Sequence, residues 1–161
     1  MRNNTAIAVL FASVLCVAFA DCGEVEGKYN GDKYEVKLKH FTELRQAVLS
    51  DMNALLQFSL CNSLKTGYCA SGTSVCFYDS NVGQYISFGT TKSQTLTFAK
   101  TFNGAEATFS QGSTCAQGKK AASTFRFECA NVFSMDTIEC TRTSCFLNCT
   151  VNTNRACRIP D

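Results

Sequence analysis

The chain has 161 residues, with 15 lysines and arginines against 13 aspartates and glutamates, 13 phenylalanines and no tryptophan. Charges this evenly balanced and scattered argue against a nucleic-acid binder and against electrostatic attachment to an acidic membrane surface. The length suits one domain with a substantial core, which the phenylalanine count predicts to be phenylalanine-rich.

The chain opens Met1-Arg2-Asn3-Asn4-Thr5, then runs apolar from 6 to 20 and ends Ala18-Phe19-Ala20. A single positive charge, a short apolar core and small residues at the end mark a secretory signal peptide at 1–20. The run is shorter than the roughly 18 to 20 residues that cross a bilayer, and no later stretch is apolar enough to do so. Of 11 cysteines, Cys16 would leave with the signal, and Cys22, Cys61, Cys69, Cys76, Cys115, Cys129, Cys140, Cys145, Cys149 and Cys157 remain. An even number of cysteines behind an export signal predicts a disulfide framework in an oxidising compartment, secreted or lumenal. Zinc is disfavoured because no Cys-x-x-Cys pair occurs and His40 is the sole histidine. No cofactor is implied.

Residues 21–32 are polar with a turn at Tyr29-Asn30-Gly31-Asp32. Residues 33–40 alternate, with Tyr34, Val36 and Leu38 on one face, and predict a half-buried strand. In 41–56 the spacing of Phe41, Leu44, Val48, Met52 and Leu55, with Thr42 as N-cap, predicts a short amphipathic helix packed on the core. Beyond it the chain reads as strands: 57–61, 74–78, 85–89, 94–98, 105–109 and 123–129, the last with Phe125, Phe127 and Cys129 on one face. From Cys145 to Cys157, every second residue (Leu147, Cys149, Val151, Thr153) falls on one side of an extended chain pinned by cysteine at both ends. Short, regularly spaced strands predict an all-β domain over 21–161: a disulfide-rich flattened barrel or sandwich of two antiparallel sheets, with one short N-terminal helix.

In order along the chain stand Cys22, a strand ending at Cys61, the short loop Cys69 to Cys76 and a strand after it. Gly112-Ser113-Thr114-Cys115, the strand ending Phe125-Arg126-Phe127-Glu128-Cys129, and Cys145 to Cys157 with Thr153 and Ala156 follow. This series resembles the mannose-6-phosphate receptor homology domain over essentially the whole of 21–161. Cysteine spacing leaves the pairing open; the resemblance implies Cys22–Cys61, Cys69–Cys76, Cys115–Cys145 and Cys129–Cys157, and leaves Cys140 to pair with Cys149.

The family binds mannose-type sugars with a glutamine, an arginine, a glutamate and a tyrosine. Arginine supplies a planar fork of donors and glutamate accepts from hydroxyls. The matching positions here are Phe77, Lys120, Glu139 and Leu147, of which only Glu139 keeps the family's residue type. Each buried sugar hydroxyl left without its partner forfeits roughly 1 to 3 kcal/mol. The resemblance therefore implies the fold together with a degenerate sugar pocket.

Asn148-Cys149-Thr150 is an N-glycosylation sequon in an exported chain; Asn3-Asn4-Thr5 also matches but lies in the signal. Lys119-Lys120 reads as a solvated loop. Asp136, Glu139 and Glu128 cluster in sequence, but alternation turns Glu128 outward and the other two are expected in a loop, which argues against a pair for acid–base work. No Gly-x-Ser-x-Gly, His-Glu-x-x-His or phosphate-cradling glycine loop is present. The expectation is a non-enzymatic binding protein of the secretory or endolysosomal lumen, lectin-like, taking a glycan or glycoprotein. The alternatives are a protein-interaction adaptor that has lost the sugar, or a small secreted lipid carrier.

Overall fold

The computed structural model describes residues 21–131, 133 and 135–161; the expected signal peptide, with Cys16, lies outside them. Among the described residues, twelve strands form three sheets. Strands β3 (Arg45–Leu49), β4 (Ala54–Phe58), β5 (Thr73–Asp79) and β6 (Gln84–Thr90) make a four-stranded antiparallel sheet in sequence order. The second sheet contains β7 (Thr95–Phe98), β8 (Gly104–Phe109), β9 (Ala122–Cys129), β10 (Thr137–Arg142) and β11 (Phe146–Thr153). Its order is β10-β11-β9-β8-β7, antiparallel except for the parallel pair of β11 with β9. A small third sheet joins β1 (Glu24–Tyr29), β2 (Asp32–Lys37) and β12 (Ile159–Pro160); β2 falls where the strand over 33–40 is expected, while β1 and β12 are not expected from the sequence.

The two larger sheets face one another across a phenylalanine core, the all-β sandwich that the strand spacing predicts. Alternation explains it: β9 buries Ser123, Phe125 and Phe127 and turns Thr124, Arg126 and Glu128 outward, while β11 buries Leu147, Cys149, Val151 and Thr153. Phe58 of β4 meets Phe125 of β9 at 4.7 Å between ring centroids, and Phe41 meets Phe127 at 5.0 Å. Phe77, Phe88, Phe109, Phe125 and Phe127 are among the largest fully buried side chains. Each such burial contributes about 2 to 3 kcal/mol, so these rings set much of the drive to pair the sheets.

The helix expected over 41–56 is not formed. Lys39–Thr42 and Ser50–Met52 are single 3₁₀ turns, and β3 and β4 between and after them form a hairpin. Asn53 makes the reversal possible by taking a left-handed backbone at φ 47°, a conformation that asparagine tolerates. The helical spacing was coincidental: Val48 is 77% exposed and Leu44 47%, and Leu55 shares the outward face of Val48, so three members of the apolar stripe do not reach the core. Burial instead follows a period of two, through Leu49 on β3 and Ala54, Leu56 and Phe58 on β4.

The bridges are Cys22–Cys61, Cys69–Cys76, Cys115–Cys145 and Cys129–Cys157, the four pairs the resemblance implies, and Cys140–Cys149, the pair it leaves over. Three of the five hold β11. Cys115 and Cys129 fasten its two ends to the flanks of β9, and Cys140 crosses to it from the directly opposite position on β10. Five bridges in one domain belong to an oxidising, extracellular or lumenal compartment. Among the described residues no helix is long and apolar enough to cross a membrane.

Gly112, in the Gly-x-x-Cys stretch, lies in the connection between β8 and β9, where the backbone crosses closely past Ser87 of β6 in the other sheet. Its amide donates to Ala121 O at 2.8 Å, and a Cβ there would run into the carbonyl oxygens of Ser87 and Ala121. Only glycine allows this close crossing, and Ser113 Oγ then accepts from the Ser87 amide at 2.9 Å.

Candidate functional site

The four family-pocket positions fall into two groups. Phe77, on β5, is 1% exposed and Leu147, on β11, is fully buried; both point into the sandwich. Between them stands Arg142, which β10 places directly opposite Leu147. Its guanidinium lies 4.8 Å from the Phe77 ring centroid and 5.6 Å from that of Phe88. Arg142 Nη1 donates to Asp79 Oδ2 at 3.0 Å, with side chains 21% and 16% exposed, and Nε donates to Thr143 O at 3.3 Å. Asp79 also accepts, at Oδ1, from the Asn81 amide at 3.0 Å. The corner to which the resemblance assigns a sugar is occupied from within by an arginine whose charge and planar face already have partners.

Lys120 and Glu139 lie outside this corner. Lys120 is exposed in the loop closed by the Cys115–Cys145 bridge, and its Nζ donates to Thr114 Oγ1 at 2.8 Å. Glu139 is on β10, but three residues before Arg142 the alternation turns it outward. It lines an open cleft of about 530 Å3 between the Val48–Met52 segment and β10–β11, together with Asp51, Thr141, Asn148 and Thr150. Asn148, the sequon residue, is exposed on β11, opposite Thr141 on one side and Thr124 on the other. Its neighbour Cys149 is buried in the bridge to Cys140, so the sequon straddles both faces of one strand.

A third locus lies where the edge strands β3 and β10 approach each other. A cleft of about 190 Å3 is lined by His40, Phe41, Arg45, Phe58, Asp136 and Val151, among others. Arg45 Nη2 is 2.9 Å from His40 Nδ1 and also donates to His40 O at 2.6 Å. An arginine can only donate, so Nδ1 accepts and the ring is neutral with its proton on Nε2. Burial, then the charges of Arg45 and Arg155, lower the His40 pKa from its ordinary value, while Asp136 and Glu43 oppose them. In the loop entering β10, Phe133 and Met135 are 94% and 87% exposed.

The sequence revealed neither Arg142 nor Asp79 as a pair. They are 63 residues apart, and only the register of two sheets brings them together. Among the described residues no group of three His, Cys, Asp or Glu side chains is placed to hold a metal ion. What the described residues define is a disulfide-stapled β-sandwich with an internally filled corner and several open polar clefts. No protein-family model matches the chain, and no curated protein is significantly similar to it.

Proposed function

We propose that this is a non-enzymatic binding protein of the secretory or endolysosomal lumen, a diverged member of the mannose-6-phosphate receptor homology type that recognises a glycan or glycoprotein. The observation that carries the reading is the bridge connectivity. Four of the five pairs coincide with those the resemblance implies, the fifth joins the two cysteines it leaves over, and three of the five hold the C-terminal strand that the family uses to close its fold. The Arg142–Asp79 pair over Phe77 supports the accompanying expectation of a degenerate pocket, since a sugar there would have to displace a satisfied ion pair. Recognition therefore uses a surface other than the family corner. The interior packed with phenylalanine leaves little in favour of a lipid carrier.

A glycan array probed with the oxidised protein tests the reading, using plain and phosphorylated high-mannose structures with free mannose and mannose 6-phosphate as competitors. Selective binding supports it. A blank array from a folded sample overturns it and favours the second reading, a protein-interaction adaptor. The exposed Phe133 and Met135 support that alternative, because an adaptor needs apolar anchors on its surface. An adaptor would retain its partner in a pull-down whatever sugar is added, and would lose it with Phe133→Ser and Met135→Ser combined.

A further inference from the structure

The outer faces of the two large sheets differ in kind. The five-stranded sheet turns Glu106, Arg126, Glu128 and Glu139 outward among threonines. The outward strand positions of the four-stranded sheet carry no charge: Gln46 and Val48 on β3, Leu55 and Gln57 on β4, Ser74, Cys76 and Tyr78 on β5, Tyr85 and Ser87 on β6; Gln57, Ser74, Cys76 and Ser87 are buried, and the other five reach solvent. The strand registers line these up in two parallel rows. Val48 is opposite Leu55, Leu55 opposite Tyr78, and Tyr78 opposite Tyr85, giving one apolar row across all four strands. Gln46, Gln57, Cys76 and Ser87 form the polar row beside it. With strands about 4.8 Å apart, the apolar row is roughly 14 Å long.

The row ends in an aromatic stack. Tyr78 and Tyr85 have ring centroids 4.6 Å apart, and Tyr68 lies parallel to Tyr85, with centroids at 5.0 Å and planes at 4°. Three of the protein's five tyrosines thus gather here. Tyr68 comes from the loop that precedes β5, and the neighbouring Cys69–Cys76 bridge, with a separation of only 7 residues, folds that loop back over the sheet. One face of Tyr68 rests on Tyr85, so its 54% exposure belongs to the other face and the edges; Tyr85 is 44% exposed. None of the three hydroxyls hydrogen-bonds to another described residue. Gln57 Nε2 donates to Gln46 Oε1 at 3.0 Å, which fixes Gln46 with its own amide donors still available.

We propose that this face, centred on Tyr68, Tyr78 and Tyr85, is the glycan-binding surface, and that it takes a neutral, unphosphorylated oligosaccharide. The proposal rests on the lectin-like reading above and gives it a site. A hexose ring has a C–H face, which suits the face of a tyrosine ring, and hydroxyls at its rim, which suit amides and phenols. A row of rings and aliphatic side chains, with the exposed Gln46 amide at its side and the tyrosine hydroxyls along it, offers both along one line. The absence of charge at the outward strand positions suits a sugar without phosphate or carboxylate. A protein partner would be expected to bring charge complementarity at the rim, for which these outward positions have no counterpart.

The test is titration of the oxidised protein with oligomannose and with linear gluco-oligosaccharides, followed by intrinsic tyrosine emission, which no tryptophan masks. The proposal expects saturable change with at least one neutral series and no competition by mannose 6-phosphate beyond that of mannose. Tyr68→Ala and Tyr85→Ala each weaken binding by about tenfold, while Tyr85→Phe, which keeps the ring, stays within about threefold. Because Tyr68 is exposed in a loop, its variant should fold, and circular dichroism checks this. Binding that survives both alanine variants, or is abolished by Glu139→Gln, overturns the site while leaving the lectin reading intact. Absence of binding to every glycan by the folded wild type overturns both.

Discussion

Arg142→Met removes the charge that fills the Phe77–Leu147 corner while keeping most of the side-chain stem. Asp79 is then left with a carboxylate in a site where its side chain is only 16% exposed, retaining the Asn81 amide as its remaining donor. Breaking a fully buried pair costs about 3 to 5 kcal/mol; partial exposure and the surviving hydrogen bond reduce this to about 2 kcal/mol. Loss of the guanidinium over Phe77 and Phe88 adds about 1 kcal/mol. A total near 3 kcal/mol corresponds to a fall in Tm of roughly 10 °C for a domain of this size. Asp79→Asn added to Arg142→Met should recover about 1 to 2 kcal/mol, because it neutralises the stranded charge and keeps the acceptor for Asn81. Urea unfolding of the oxidised single and double variants at neutral pH measures each quantity. A single-variant cost below about 0.5 kcal/mol, or strictly additive effects in the cycle, would refute the reasoning and place the pair among ordinary surface contacts.

Loop-closure entropy predicts that replacing both cysteines of the 39-residue Cys22–Cys61 pair costs about 4 kcal/mol, against about 2.5 kcal/mol for Cys69–Cys76, with a 7-residue separation; paired denaturation curves should show that order. His40 favours its neutral form in the folded state, so its pKa there is below the unfolded value of about 6.5. Its contribution is therefore full above that value and is lost as pH falls through the folded pKa; the His40→Gln variant should show a shallower loss of stability on acidification below about pH 6.5. Gly112→Ala forces a methyl group against the Ser87 and Ala121 carbonyls and should cost at least about 2 kcal/mol or abolish secretion of folded protein. Phe133→Ser combined with Met135→Ser touches only exposed side chains and should leave Tm within about 2 °C of wild type.

Most strands were legible in the sequence because one face of each is buried and the alternation survives, as in Phe125 and Phe127 on β9 or Leu147, Cys149 and Val151 on β11. Where that signal failed, a second pattern competed with it. Phe41, Leu44, Val48, Met52 and Leu55 fit a helical period, but Leu44, Val48 and Leu55 are strand or loop residues that face away from the core, and the reversal at Asn53 carries no glycine or proline to announce it. Strand β10 was missed because its outward residues, Thr137, Glu139 and Thr141, leave an inward row of Ile138, Cys140 and Arg142 that mixes an aliphatic, a thiol and a charge. The sites were less legible than the fold. Arg142 finds Asp79, and Val48, Leu55, Tyr78 and Tyr85 line up, only through strand register, which no local spacing encodes.

The account turns on where, on this sandwich, a ligand meets the protein. Chemical-shift mapping of the isotopically labelled, disulfide-intact protein during titration with neutral oligomannose and gluco-oligosaccharides addresses that question residue by residue. The account predicts dose-dependent shifts confined to Gln46, Val48, Leu55, Tyr68, Tyr78 and Tyr85 and their immediate neighbours. Shifts centred instead on Phe77, Arg142 and Leu147, or no shifts from a well-dispersed spectrum at saturating sugar, would contradict it.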